Sequence, residues 1–152
     1  MAATATALLA MASLGTAAQA GHHEGVRGNG IPQLSAATPG ALEACEELAE
    51  FSYAATVITT ATAVPAGELT NAGADVGEHC LVQGHMNERV STFDGRTYRI
   101  GFEMRLPVEW SGRYLYQANG GLDGNVAPAT GTFTGGQLEN GLQMGFAVLS
   151  SD

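Results

Sequence analysis

Alternation is the strongest pattern in the chain. Tyr98, Ile100, Phe102, Met104 and Leu106 are interleaved with Arg99, Gly101, Glu103 and Arg105, a period of two that buries one face of an antiparallel strand. Asp94-Gly95 just ahead of it predicts a hairpin turn, and Pro107 closes the run. Thr56 to Val64 is β-branched and bounded by Pro65 and Gly67, which predicts another strand. An apolar piece follows Cys80, Arg113 to Gln117 reads as a short strand, and Phe146 to Ser150 as a last one, apolar enough to lie inside a sheet. Thr38-Pro39 has the form of a helix start. Leu42, Cys45, Leu48 and Phe51 follow at a step of three with Glu43, Glu46, Glu47 and Glu50 between them, predicting one short amphipathic helix whose acidic side is solvated. Residues 137–145 are expected to carry a helical turn or two. Gly21 to Ala37 has no period and many turn residues, and reads as a linker.

At 152 residues the chain is about one domain, long enough to hold a core. Fifteen acids face six bases, every base an Arg, which argues against a nucleic-acid partner bound through phosphates. The excess is uneven: residues 1–88 hold nine of the acids and one Arg. Met1 to Ala20 is uncharged and ends in Ala18-Gln19-Ala20, the small-x-small form of a signal-peptidase site. A secreted or periplasmic protein is therefore expected, with residues 1–20 as its signal peptide. That segment is too rich in Ala and Thr for a good membrane span, and no membrane partner is expected. Cys45 and Cys80 suit an oxidising compartment. Cleavage after Ala20 would expose Gly21-His22-His23, able to chelate Cu(II) through amine, backbone nitrogens and imidazole, although an unstructured polar terminus is the plainer reading. His79 and His85 match no zinc pattern, so no metal site is assigned.

Nucleophilic hydrolysis of the G-x-S-x-G kind has no serine to use here, because none of the seven lies between suitable glycines. The chemistry-bearing stretch is Gln117-Ala118-Asn119-Gly120-Gly121-Leu122-Asp123-Gly124, a strand running into bare backbone. Glycines there let amide N–H groups face a cleft, which an oxyanion hole needs. A tight turn requiring positive φ explains the same residues.

Several motifs together resemble the tannase and feruloyl esterase family of secreted carboxylic ester hydrolases. They are His79-Cys80-x-Val82-x-Gly84, Asp94-Gly95, Tyr98-x-Ile100-x-Phe102-Glu103-x-Arg105-Leu106-Pro107, Trp110-x-Gly112-Arg113, Gly120-Gly121-Leu122-Asp123-Gly124 and Gly145-Phe146-Ala147-Val148-Leu149-Ser150-Ser151-Asp152. Ser111 stands where the family usually has Asn, and Ala118-Asn119 where some members have further glycines. The resemblance implies an α/β fold, with 38–152 as the N-terminal, strand-rich portion of an α/β-hydrolase whose sheet is incomplete in this chain. It implies hydrolysis of small esters of aromatic acids through an acyl-enzyme, with Gly120 and Gly121 as oxyanion donors and a Cys45–Cys80 disulfide. Serine, histidine and aspartate of the family's triad fall beyond the matched region, as does a lid that binds calcium in some members; no cofactor is assigned to this chain. The strand ending near Asp152 is then expected to pair with strands outside it, leaving the isolated chain prone to aggregate. The competing reading is a secreted β-rich module that binds carbohydrate or a surface through Trp110, Tyr114 and Tyr116.

Overall fold

The alternating run becomes the central strand of a five-stranded sheet in a computed structural model of the chain, which describes residues 35–118, 124–132 and 138–152. The expected signal peptide, and the linker up to residue 34, lie outside the described residues. In chain order the strands are β1 (Gly40–Ala41), β2 (Thr56–Val64), β3 (Thr70–Asn71), β4 (Ala74–Asp75), β5 (His79–Val90), β6 (Thr97–Pro107), β7 (Glu109–Trp110), β8 (Tyr114–Gln117) and β9 (Ala147–Ser151). The main sheet runs β2-β5-β6-β9-β8, and β1-β7 and β3-β4 form two-stranded ribbons. Every pairing in the main sheet is antiparallel except β8 with β9, so the sheet is mixed.

Register sorts the side chains onto two faces. On one, Val82, Phe102 and the Cys45 and Cys80 pair form a buried cluster with Leu48, Ile58, Ala61, Met104, Leu106 and Leu149 around it. On the other, Val148 packs with Val76, Ala129 and Leu142, flanked by Leu69, Leu115 and Phe146. Each Val, Leu or Phe among them that is fully withdrawn from water stabilises the fold by about 1.5–3 kcal/mol. Gly84 lies opposite Phe102, and a Cβ at Gly84 would stand 2.6 Å from Cζ of that ring. The phenyl group thus occupies the volume a larger residue would need.

The β2 pairing contains a bulge. Ile58 opposes Gly84 and Thr60 opposes Gln83, leaving Thr59 as the extra residue, its hydroxyl donating to the Gln83 carbonyl at 3.1 Å. Two residues three apart, Ile58 and Ala61, consequently face the same core. The β5–β6 hairpin is closed by Ser91 N–H donating to the Arg96 carbonyl at 2.8 Å. Ser91 Oγ accepts from the amides of Phe93 and Asp94, Asp94 accepts from Arg96 N–H and the Tyr98 hydroxyl, and Gly95 takes a positive φ of 69°. The predicted turn is there, set in a four-residue loop.

Two expectations are corrected. The amphipathic helix is a single 3-10 segment, Glu46–Glu50, and Gly40–Ala41 pairs instead with Glu109–Trp110. From Cys45 through Leu48 to Phe51 the step of three is itself the 3-10 period and not the 3.6 of an α-helix, and Leu42 lies ahead of the segment. Residues 138–145 form turns, with Met144 N–H donating to the Asn140 carbonyl at 3.2 Å as in one helical turn. Finally, β9 is an inner strand with β6 on one side and β8 on the other, so its amides are paired within this chain.

Candidate functional site

In sheets with parallel strands, ligand sites gather where the strands' carboxyl ends stop. Here β8 and β9 run side by side and end at Gln117 and Ser151. Gly120 and Gly121, the expected oxyanion donors, follow β8 by three and four residues and lie outside the described residues. The chain on either side of them is described, and it is held by side chains of the sheet.

Those side chains form a polar row. Thr60, Gln83, Glu103, Ser150 and Gln117 are consecutive cross-strand partners from one edge of the sheet to the other. Directly paired residues share a face, and two members of the row, Glu103 and Gln117, bond to the backbone of Pro128, Ala129 and Gly131. Glu103 is 7% exposed, Gln117 9% and Ser150 0%. Glu103 Oε1 accepts from Arg105 Nε at 2.8 Å and from the Ala129 amide at 3.0 Å, and its Oε2 accepts from Gln83 Nε2 at 3.1 Å. Gln117 Nε2 donates to the Pro128 carbonyl at 3.1 Å and its Oε1 accepts from Gly131 N–H at 2.8 Å. Buried polar groups are costly unless so satisfied.

Next to the row, Arg105 carries its charge inward. Its side chain is 12% exposed against 10% for Glu103, and its Nη1 lies 2.9 Å from His79 Nε2. His79 is 1% exposed; desolvation, with the nearby guanidinium, lowers its pKa below the ordinary imidazole value, against the raising effect of its bond to the Gly77 carbonyl. This imidazole is a neutral structural link. His85 instead meets Glu88 at 3.3 Å near the surface. No group of three His, Cys, Asp or Glu among the described residues is arranged to hold a metal.

Cys45 and Cys80 are joined, with Cα atoms 5.4 Å apart. The aromatic residues of the binding-module reading divide. Tyr114 and Tyr116 stand exposed on one side of β8 while Leu115 packs into the second core. Trp110 belongs to the β1–β7 ribbon, its Nε1 donating to the Arg113 carbonyl at 2.7 Å. Sequence reading did not find the polar row. Its only local signal is a polar residue within an otherwise apolar or alternating strand, and the alignment of five such positions depends on register.

No family model matches the sequence. The mono(2-hydroxyethyl) terephthalate hydrolase of Piscinibacter sakaiensis is 36% identical over 115 residues, covering 72% of this chain and 19% of that protein. The chain is similar to an ester hydrolase. It spans about a fifth of that relative's length.

Proposed function

We propose that this chain forms part of an exported carboxylic ester hydrolase of the tannase and feruloyl esterase kind, acting on esters of aromatic acids. The observation that carries the reading is the 36% identity to a hydrolase of a terephthalate monoester. A strand-rich, mixed sheet suits part of an α/β-hydrolase, and the Cys45–Cys80 disulfide suits an exported protein. In this reading a serine attacks the ester carbonyl, a histidine takes the serine proton and returns it to the leaving alcohol, and an aspartate orients the histidine. The amide of Gly120 or Gly121 donates to the oxygen that becomes negative; one such donor is worth about 3 kcal/mol in the transition state. The reading requires the three triad residues outside Met1–Asp152.

The test is to express the complete reading frame and follow hydrolysis of ethyl ferulate, methyl gallate and mono(2-hydroxyethyl) terephthalate. Turnover of at least one, abolished by replacing a serine in a glycine elbow downstream of residue 152, supports the reading. A folded product that cleaves none of them, or a reading frame with no such serine, overturns it. Tyr114 and Tyr116, exposed together on β8, favour a second reading, a carbohydrate-binding module. Retention on an insoluble polysaccharide, lost in a Tyr114→Ala/Tyr116→Ala variant, would support that instead.

A further inference from the structure

Phe93 is 98% exposed in the loop that joins β5 to β6, with Val90 and Tyr98 exposed beside it. The turn beneath the ring is nevertheless fixed. Ser91 Oγ accepts from the Phe93 amide at 3.2 Å, and Asp94 accepts from Arg96 N–H and the Tyr98 hydroxyl. Charge gathers here as well. Arg89, Arg96 and Arg99 are exposed in and beside this loop, whereas Arg105 is largely buried and Arg113 half-buried. The exposed bases among the described residues therefore all stand at this hairpin, which also holds Glu88 and Asp94.

Beside the first core lies an open groove of about 310 Å³, lined by Met86, Phe102 and Met104 of the sheet and by Leu48 and Phe51 in and next to the 3-10 segment. An apolar cavity of about 150 Å³ accepts a benzene ring, so a phenyl group fits. Glu46, Glu47 and Glu50 stand exposed on the segment that carries Leu48, and no Lys or Arg occurs between Arg27 and Arg89. Along β6, alternation puts Tyr98, Ile100, Phe102 and Met104 on one face. Arg89 lies over the Tyr98 ring, 5.9 Å from its centroid. One apolar stripe thus leads from the groove toward the hairpin loop.

We propose that this face is an interface between two copies of this chain, the Phe93 ring of each seated in the groove of the other. The loop is apolar with a basic flank and the groove apolar with an acidic flank, so each matches the other. Because one stripe joins them, a two-fold axis lets both contacts form at once and closes the pair. Burial of the ring supplies most of the affinity, since exposed ion pairs add little, and the charges select the partner. Each copy carries a formal charge of −9, but at physiological salt that repulsion is screened beyond about 8 Å. The inference stands apart from the ester-hydrolase reading.

The test is sedimentation velocity on the polypeptide of the complete reading frame, from micromolar to millimolar concentration. A monomer–dimer equilibrium is expected, weakened about tenfold or more by Phe93→Ser. Two charge reversals, Arg89→Glu/Arg96→Glu on the loop and Glu47→Arg/Glu50→Arg on the groove, should each weaken it by about fivefold or more. An equimolar mixture of the two reversed chains should recover the parent's dimerisation, because every loop then meets a groove of opposite charge. All the replaced side chains are exposed, so thermal melts of the monomers should coincide. A parent that stays monomeric, a dimer indifferent to Phe93→Ser, or reversed chains that do not recover on mixing overturns the proposal. Hydrolysis of esters, or its absence, leaves these outcomes unchanged.

Discussion

Arg105 donates from Nη1 to Nε2 of His79 across 2.9 Å, and because a guanidinium can only donate, the imidazole must carry its proton on Nδ1, where the Gly77 carbonyl accepts at 2.8 Å. Both ring nitrogens are occupied in the neutral form. A second proton would have to displace Arg105 and bring two positive charges together in a buried place.

That arrangement sets a pH dependence. Burial lowers the folded-state pKa of His79 below its usual 6.5, so in acid the unfolded chain takes up a proton that the folded chain refuses. Stability is then full above about pH 6.5 and falls as pH drops through that value toward the folded-state pKa. Urea melts between pH 7.5 and 5 should show the midpoint moving down, with a shallower decline in His79→Gln. An identical decline in that variant would show that other groups set the slope.

Arg105 is also the charge partner of Glu103 at 2.8 Å, with both side chains largely buried. Removing one member leaves the other uncompensated, which costs about 3 kcal/mol or more. Arg105→Ala should therefore lower the unfolding free energy by about that amount, whereas Arg96→Ala, in the exposed hairpin loop, should change it by less than about 0.5 kcal/mol. Equal effects in denaturant titrations would refute the difference.

Glycines in β5 and just before it should respond differently. A Cβ at Gly84 meets the Val57 carbonyl and the Phe102 ring, while one at Gly77 meets nothing within 4 Å. Gly84→Ala should destabilise by about 1–3 kcal/mol through overpacking, and Gly77→Ala should stay within about 0.5 kcal/mol of the parent. Paired melting curves check both.

The bond between Cys45 and Cys80 spans a sequence separation of 35 residues. Constraining that loop in the unfolded chain is worth about 4 kcal/mol. Melting under dithiothreitol should show a loss of about that size, absent in a Cys45→Ala/Cys80→Ala variant, which already starts lower. A reductant-insensitive parent would mean that the bond contributes little.

The strands were legible because their information is local: β6 announces itself by alternation, β2 by β-branching and its flanking Pro65 and Gly67. The 3-10 segment was misread because a step of three fits a few residues of either helix, and only the tether of Cys45 to Cys80 and the pairing of Gly40–Ala41 with β7 decide between them. Strand order was not legible. That β9 enters between β6 and β8 depends on contacts across tens of residues, and so does the alignment of Gln83, Glu103, Ser150 and Gln117. At the candidate site, the glycine-bearing stretch stood out by composition, while the side chains that anchor its return did not.

The extra residue at Thr59 has an effect on the outside of the molecule as well as on its core. Among the described residues β2 is an outer strand of the main sheet, and from Thr56 to Val64 it has no charge to repel a neighbour. A foreign strand laid along it would keep step over one half and lose step at the irregularity. The same kink that turns Ile58 and Ala61 inward thereby makes the rim of the sheet a poor template for stacking one molecule against the next.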